Sequence, residues 1–156
     1  MSRLPVFPVT GGCACGAVRY VLKASPLGVY SCHCTECQSL TGSAFSLAMS
    51  VLRADFEIAQ GDLVTWIRTA DSGAKIPQRF CPTCGVRVFT EPPGGPHSVT
   101  IRPGTLDDTS WVRPVAAFWT KSAQAWVALP ADTLTYETQP TDFAPVMKAW
   151  RDWTRG

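Results

Sequence analysis

The sequence lacks long apolar runs and blocks of like charge. No segment approaches the roughly 18 consecutive apolar residues of a membrane-spanning helix, and the start, from Met1 to Pro8, lacks the apolar stretch of a secretory signal peptide. Charged residues make up 17% of the chain, below the roughly 25% usual for soluble domains. The net charge is +2, and the scattered Lys and Arg residues do not form the basic face that nucleic-acid binding requires. We therefore expect a cytoplasmic protein that binds neither nucleic acid nor a membrane.

No internal repeat, low-complexity tract or long linker divides the 156 residues, so a single domain spanning 1–156 is predicted. Glycine and proline are frequent, with 12 and 13 residues, and this is typical of a domain rich in turns. Short apolar and β-branched stretches between the turns predict a mainly β fold. Strands are predicted at 17–22, 28–31, 44–49, 56–59, 63–67, 86–90, 98–101, 115–119 and 125–128, with a short helical turn at 35–40.

Helical periodicity is found only at the end of the chain. Apolar residues recur there at steps of three and four, namely Phe143, Val146, Met147, Trp150 and Trp153. This pattern predicts a short C-terminal amphipathic helix over about 143–154, and Pro145 is tolerated in its first turn. We expect the apolar stripe to pack on the sheet or on a partner subunit, which leaves a homodimer open, rather than to bind a ligand.

Seven cysteines are the strongest chemical signal. In a chain without an export signal they would be kept reduced, and an odd number argues against a disulfide framework. Their spacing is local: two are in a Cys-x-Cys pair, two are in a Cys-x-x-Cys pair followed by glycine, and three lie close together between these pairs. Such spacings aim neighbouring sulfurs at one point, as metal sites require, and zinc is the expected metal.

Ligand counting divides the cysteines into four and three. Structural zinc sites are closed by four protein ligands, whereas catalytic sites keep three and one exchangeable position. We assign the two outer pairs to a structural zinc and the middle group to a reactive zinc, that is, Cys13, Cys15, Cys81 and Cys84 on one side and Cys32, Cys34 and Cys37 on the other. The middle group could also combine with either outer pair. His33 could close the three-thiolate site, although a residue between two ligands of an extended Cys-x-Cys points away from them.

The order of these cysteine groups resembles a known family. The strings that carry the resemblance are Gly12-Cys13-Ala14-Cys15-Gly16, Cys32-His33-Cys34-Thr35-Glu36-Cys37-Gln38, Cys81-Pro82-Thr83-Cys84-Gly85 and Gly104-Thr105-Leu106-Asp107-Asp108. Together they resemble the glutathione-dependent formaldehyde-activating enzyme family, whose GFA domain is shared with centromere protein V. The resemblance covers about 11–126.

This resemblance implies an Mss4-like fold of twisted antiparallel sheets with zinc-knuckle loops. It also implies the division reached above, with the four-cysteine set binding a structural zinc and Cys32, Cys34 and Cys37 binding a catalytic zinc. The family's named reaction is the addition of glutathione to formaldehyde, which gives S-hydroxymethylglutathione and is classed with carbon–sulfur lyases. Glutathione would then be a co-substrate, and the partners would be a small thiol and an aldehyde.

The same chemistry follows from the residues. Three thiolates leave zinc with a net charge of −1, and such a centre can still hold an incoming thiol as thiolate near neutral pH. We expect the glutathione sulfur to take the open position and attack an aldehyde carbon held beside it. We also expect this site to be the first to lose its metal to chelators or oxidation, and so to be the one that can be under-occupied.

Other polar residues are weaker candidates, each with a structural alternative. Arg79 and Lys121 could bind the carboxylates of glutathione, but an ion-pair or surface role is favoured for both. Several residues near the reactive cysteines could orient a small substrate or cap the helical turn, namely Gln38, Thr41 and Ser43. Asp107 and Asp108 are turn formers before they are acid–base candidates.

Two other functions stay open at this point. In the first, both metals only stabilise the fold, and the Trp-rich C-terminal segment makes the protein a non-catalytic interaction module. In the second, the protein is a lyase or hydrolase that acts on another glutathione conjugate.

Overall fold

Two β-sheets and two helices make up the computed structural model, which describes residues 2–93 and 95–156. In chain order the elements are β1 (Val9–Gly12), β2 (Arg19–Leu22), β3 (Gly28–Cys32), α1 (Thr35–Thr41), β4 (Ser46–Leu52), β5 (Phe56–Gln60), β6 (Val64–Thr69), β7 (Lys75–Phe80), β8 (Arg87–Thr90), β9 (Ser98–Ile101), β10 (Ala116–Phe118), β11 (Leu134–Thr135) and α2 (Ala144–Arg155). The expected mainly β fold with a short C-terminal helix is confirmed.

The larger sheet has eight strands in the order β11-β10-β3-β4-β9-β8-β7-β6. From β3 to β6 all neighbours are antiparallel. β10 runs parallel to both β3 and β11, so the sheet is not antiparallel throughout. This pairing places the end of β10 beside Cys32, because Phe118 is opposite Cys32 in the register.

The smaller sheet has three antiparallel strands in the order β1-β2-β5. Alternation along β2 buries Tyr20 and Leu22 completely, as expected for a strand with one face against a core. The two sheets share that core, since Phe56 of β5 packs edge-on against Phe89 of β8 with ring centroids 5.0 Å apart. The core therefore lies between the sheets.

The C-terminal helix α2 covers β3. Val146 and Trp150 are 0% and 1% exposed. A Cβ added to Gly28 of β3 would lie 3.0 Å from Val146 Cγ1, so the small residue allows the close approach of the helix. The apolar stripe thus packs on the protein's own sheet. Within the described residues no helix has the length and apolar character needed to cross a membrane.

Three strands were not anticipated, and one prediction was wrong. β1 contains two glycines, β7 contains Pro77, and β11 is two residues long, so each lacks the alternating apolar signal of a typical strand. The strand predicted at 125–128 is instead a turn and an irregular segment. Trp126 there is 74% exposed and donates its indole N–H to Gln124 Oε1 at 2.7 Å, so its hydrogen bond is local.

Candidate metal centres

Four cysteines from two distant segments meet at the junction of the two sheets. Cys13 follows β1 directly, and Cys81 follows β7 directly. The Cys15 Sγ lies 3.5 Å from the Cys13 Sγ and 3.8 Å from the Cys81 Sγ. Including Cys84, the four Sγ atoms all lie within 4.8 Å of one another. The structure therefore brings together the two outer pairs, which is the combination favoured by ligand counting.

Glycine in the left-handed region turns the chain after each of these pairs. Gly16 has a φ of 79° and Gly85 a φ of 73°, values that residues with a Cβ rarely adopt. The Cys13 Sγ also accepts a hydrogen bond from the Val18 backbone N–H at 3.2 Å. This hydrogen bond is the main reason why the pKa of the Cys13 thiol is lowered to about 6. Since the thiolate is the form that binds metal, the local backbone favours metal binding.

The four-sulfur set fits zinc. With Zn–S distances of about 2.3 Å, tetrahedral geometry places the sulfurs about 3.8 Å apart. The distances of 3.5 and 3.8 Å agree with this spacing. All seven cysteines are free thiols rather than disulfides. The group could therefore hold a metal ion, and its donors are consistent with zinc.

The other three cysteines come from one short segment. Cys32 ends β3, Cys34 is the N-cap of α1, and Cys37 lies in the first turn of that helix. Their Sγ atoms lie within 4.8 Å of one another, and no His, Cys, Asp or Glu elsewhere in residues 2–93 and 95–156 joins them. The helix begins here because the Cys34 Sγ accepts the Cys37 backbone N–H at 3.3 Å, so one residue is both cap and candidate ligand. This group too could hold a metal ion.

Negative charge in the three-cysteine group is favoured first on Cys34. Hydrogen bonds from the thiols of Cys32 and Cys37 lower the pKa of Cys34, and the Cys37 backbone N–H and the nearby Arg68 contribute to the same shift. The pKa of Cys32 is raised, because it shares hydrogen bonds with the other two thiols and is buried. Arg68 itself forms an ion pair with Glu36 of α1.

His33 lies outside this group. Its side chain is completely buried, and its Nε2 is 3.0 Å from the Ser31 Oγ. The ring packs against Phe45 with centroids 5.1 Å apart. As the alternation of an extended segment predicts, His33 projects away from its neighbours Cys32 and Cys34. This geometry does not favour His33 as a fourth ligand.

The polar residues that follow the three-cysteine group stabilise local structure. Gln38 Nε2 donates to the His33 carbonyl at 2.9 Å and to the Ser122 carbonyl at 3.0 Å, so it joins α1 to the segment after β10. The Thr41 Oγ1 donates to the Cys37 carbonyl at 2.8 Å near the end of α1. Ser43 is exposed. Gln38 and Thr41 therefore have contacts that stabilise α1, as expected if their role is structural.

The two cations considered for glutathione have other contacts. Arg79 Nη2 lies 3.1 Å from Glu91 Oε2, in an ion pair that neutralises its charge. Lys121 Nζ lies 5.1 Å from the centroid of the Trp119 ring, a cation–π contact. Trp119 has a φ of 58°, the one positive value among the described residues other than glycine, and this conformation costs energy for a bulky side chain.

Asp108 has the turn role expected of it, whereas Asp107 forms an ion pair, which the sequence does not predict. Asp107 forms an ion pair with Arg19 and accepts a hydrogen bond from the Thr10 hydroxyl at 2.5 Å. Asp108 accepts the Ser110 backbone N–H at 2.9 Å. Both carboxylates lie in the segment that follows the 3₁₀ helix Pro103–Thr105. These contacts do not support an acid–base role for Asp107 or Asp108.

Sequence reasoning missed a polar cluster beside the three cysteines. Arg87 of β8 and Arg102, which follows β9, both donate to the hydroxyl of Ser46, the residue opposite Cys32 in the register of β3 and β4. Arginine within or directly after a short apolar strand is the available signal, because the strand carries the charged group towards the core, where it needs hydrogen-bond partners. The scattered positions of the basic residues along the chain do not show that these two lie together.

A mainly β domain with a four-sulfur group at the junction of its sheets and a three-sulfur group on a helix cap defines a class of candidate metalloprotein. The family model for the glutathione-dependent formaldehyde-activating enzyme matches residues 8–122. This is well over half of the chain, and the chain belongs to that family, as the resemblance indicated. A crystal structure of a Rhodobacter sphaeroides protein has a similar fold, with a TM-score of 0.52 and 21% sequence identity over 67% of this chain and 91% of that chain. At this identity the similarity supports the fold alone.

Proposed function

We propose that this protein is a zinc-dependent enzyme that adds glutathione to formaldehyde or a related small electrophile, a reaction of the carbon–sulfur lyase class. Family membership supports glutathione-dependent formaldehyde activation in general. The observation that carries the specific proposal is the three-cysteine group, which offers three sulfur donors without a fourth protein ligand from the described residues. A closed four-ligand site would leave an outside thiol no place to bind.

The two cysteine groups have different roles in this proposal. Cys13, Cys15, Cys81 and Cys84 hold a structural zinc, and Cys32, Cys34 and Cys37 hold a catalytic zinc, which gives two ions per chain. When bound, the catalytic zinc supplies an exchangeable position where the glutathione sulfur is held as thiolate. The protein is a single domain and works in the cytoplasm, where glutathione keeps thiols reduced.

The reaction itself needs no oxidant. A carbon–sulfur bond forms between glutathione and the aldehyde carbon, the C=O double bond becomes a C–O single bond, and the thiol proton ends on that oxygen. The chain's contribution is to orient the reactants. The first turn of α1 fixes Cys34 and Cys37 relative to each other, and Gln38 ties that helix to the segment around Ser122. Such positioning raises the rate of an addition between two small molecules.

Metal content and exchange kinetics test the proposal together. Zinc per chain would be measured for the wild-type protein and for Cys37→Ser, and the rate of exchange between free formaldehyde and S-hydroxymethylglutathione would be measured by NMR. We expect two zinc ions to fall to one and the catalysed exchange to be lost. Ser72→Ala, in the exposed turn between β6 and β7, serves as the matched control and should keep both ions and the full rate.

Cobalt substitution provides the second readout. Glutathione at millimolar concentration should change the absorption spectrum of the cobalt-loaded protein, because a new sulfur joins the metal, and the change should be absent in Cys37→Ser. If glutathione changes neither the spectrum nor the exchange rate, the proposal is wrong, and a zinc-stabilised interaction module becomes the better explanation. If exchange is absent but glutathione still changes the spectrum, the substrate is another glutathione conjugate.

A further inference from the structure

Two guanidinium groups converge on one hydroxyl beside the three-cysteine group. Arg102 Nη1 lies 3.1 Å and Arg87 Nη2 lies 3.3 Å from the Ser46 Oγ. Ser46 is 2% exposed and is the register partner of Cys32 across β3 and β4. Residues directly opposite in an antiparallel pair project to the same face of the sheet. The two cations therefore lie on the face from which the Cys32 sulfur projects.

Neither cation has an acidic partner. Arg87 Nη1 donates to Gln78 Oε1 at 2.9 Å, and Arg102 Nη2 donates to the Thr90 hydroxyl at 3.3 Å, so the contacts of both groups are with neutral oxygens. No carboxylate within the described parts of the chain forms an ion pair with either residue, and Arg102 Nε is buried without a hydrogen-bond partner. Buried or half-buried charge without a counterion is costly. A structural role alone would favour an acidic partner or a neutral side chain.

Charge counting shows that the cysteines do not neutralise this pair. Three thiolates and a zinc ion would carry −1, whereas the two guanidinium groups carry +2, so one positive charge is left over. Burial lowers the pKa of Arg87 to about 10, which still leaves it cationic at neutral pH. Burial also lowers the pKa of Arg102, and the nearby cysteines oppose this shift. Arg68, the third arginine near the group, is already paired with Glu36.

Both arginines are half-buried residues. Two guanidinium groups held by a shared acceptor present several N–H donors in a fixed arrangement, and planar carboxylates are the anions that such donors bind best. We infer that Arg87 and Arg102 form a carboxylate-binding site beside the three-cysteine group, so that a molecule reacting there carries a carboxylate close to its reacting atoms. The statement that the bound molecule reacts rests on the proposed function, whereas the statement that a carboxylate binds does not.

The carboxylate has two sources among the reactants. It is one of the carboxylates of glutathione, or it belongs to the electrophile, which would then be an aldehyde acid such as glyoxylate rather than formaldehyde. In the second case the reaction keeps the same balance: a carbon–sulfur bond forms, the aldehyde C=O becomes C–OH, and the carboxylate is unchanged. The distinction matters, because the second case changes the substrate class.

Titrations of the zinc-loaded protein test the site. The probes are glutathione and its diethyl ester for one source, and glyoxylate and its methyl ester for the other, each followed by calorimetry. We expect one acid to bind ten- to a hundredfold more tightly than its ester, because hydrogen bonds to a charged group contribute about 1.5–3 kcal/mol. That acid identifies the source. If neither acid binds more tightly than its ester, the inference is wrong, and this comparison requires no variant.

Substitutions of the two arginines test whether they cause the difference in affinity between the acid and its ester. Arg102→Gln should weaken binding of the preferred acid ten- to a hundredfold and leave its ester unaffected. Arg113→Gln, whose guanidinium is paired with both carboxylate oxygens of Asp132, is the matched control and should bind the acid as the wild type does. Arg87→Lys, which keeps the charge but loses the planar donor arrangement, should give a smaller loss and covers the case in which Arg102→Gln does not fold.

The two proposals fail in different ways. Arg102-dependent binding of the acid without catalysed exchange of either aldehyde, formaldehyde or glyoxylate, would support the carboxylate site and contradict the enzymatic function. Catalysed exchange between formaldehyde and 2-mercaptoethanol, a thiol without a carboxylate or an amine, should be equal in the wild type and Arg102→Gln. A loss of that exchange in Arg102→Gln equal to the loss with glutathione would overturn the inference, because the arginine would then act on the cysteine group and not on the substrate.

Discussion

Loss of the metal from the four-cysteine group should destabilise the protein more than loss of the metal from the three-cysteine group. The reason is the length of chain that each metal closes. Cys15 and Cys81 are 66 positions apart, and they join the small sheet to the large one. Cys32 and Cys37 belong to one short segment. A metal in the first group would therefore connect the two sheets, whereas one in the second group would connect a strand end to the helix that follows it.

The loop-closure entropy gives the size of the difference. A cross-link over a loop of this length stabilises the folded chain by about 4 kcal/mol, and one over the short loop between Cys32 and Cys37 by about 2 kcal/mol. For a domain of this size each kcal/mol shifts the melting temperature by about 2–4 °C. The double variant Cys81→Ser/Cys84→Ser, which leaves only one cysteine pair in that group, should therefore lower the melting temperature by about 8–16 °C, and Cys37→Ser by about 4–8 °C.

Thermal unfolding followed by circular dichroism, with zinc measured on the same samples, checks this expectation. A chelator titration should remove the zinc bound by Cys32, Cys34 and Cys37 first, while most of the folded signal is retained. Ser72→Ala should melt with the wild type. The reasoning is refuted if Cys37→Ser melts as low as or lower than Cys81→Ser/Cys84→Ser, or if mild chelation unfolds the protein before the three-cysteine zinc is released.

Two further predictions concern residues outside the metal groups. Asp107→Asn should lower the free energy of unfolding at pH 7 by up to about 1 kcal/mol, since its ion pair is half-exposed. Arg19 holds the pKa of Asp107 below its usual value near 3.9. The difference between variant and wild type should therefore be fully present above that value and disappear as the pH falls through the lower pKa of the folded state, as urea unfolding at several pH values would measure. An unchanged difference in acid would contradict this. Trp150→Ala should lower the free energy of unfolding by about 3–5 kcal/mol, because the Trp150 ring is 1% exposed. Trp126→Ala should change it by less than about 0.5 kcal/mol, because Trp126 is 74% exposed. Equal losses for the two variants in urea unfolding would show that α2 does not stabilise the core.

The cysteine groups could be predicted from the sequence because the relevant geometry is local. Cys13 and Cys15, like Cys81 and Cys84, are aimed at one point by two or three residues of backbone and a glycine turn. Which pairs meet is a question of long-range topology, and ligand counting could only favour one answer. The structure brings the two outer pairs together because β1 and β7 end at the same junction between the sheets.

The strands and cations that were missed depend on tertiary context. β7 forms despite Pro77 because β6 on one side and β8 on the other supply its pairing. The environment of Arg87 and Arg102 is set by strands that are adjacent in the sheet but distant in the chain, since Ser46 lies on β4. No local pattern around either arginine shows that both share one acceptor. Local periodicity therefore could not separate them from the arginines that form surface ion pairs.

The ion-pair partners of the arginines bear on the role of the three-cysteine group. Five other arginines have a carboxylate partner, two of them sharing Glu91, namely Arg19, Arg53, Arg68, Arg79 and Arg113. The two arginines that share Ser46 have neutral partners only. A protein that used the neighbouring sulfurs only to stabilise its fold would gain stability from an acidic residue at this place. Its absence from the described residues is what a site for an incoming anion requires, because a resident carboxylate would compete with the ligand for the same N–H groups.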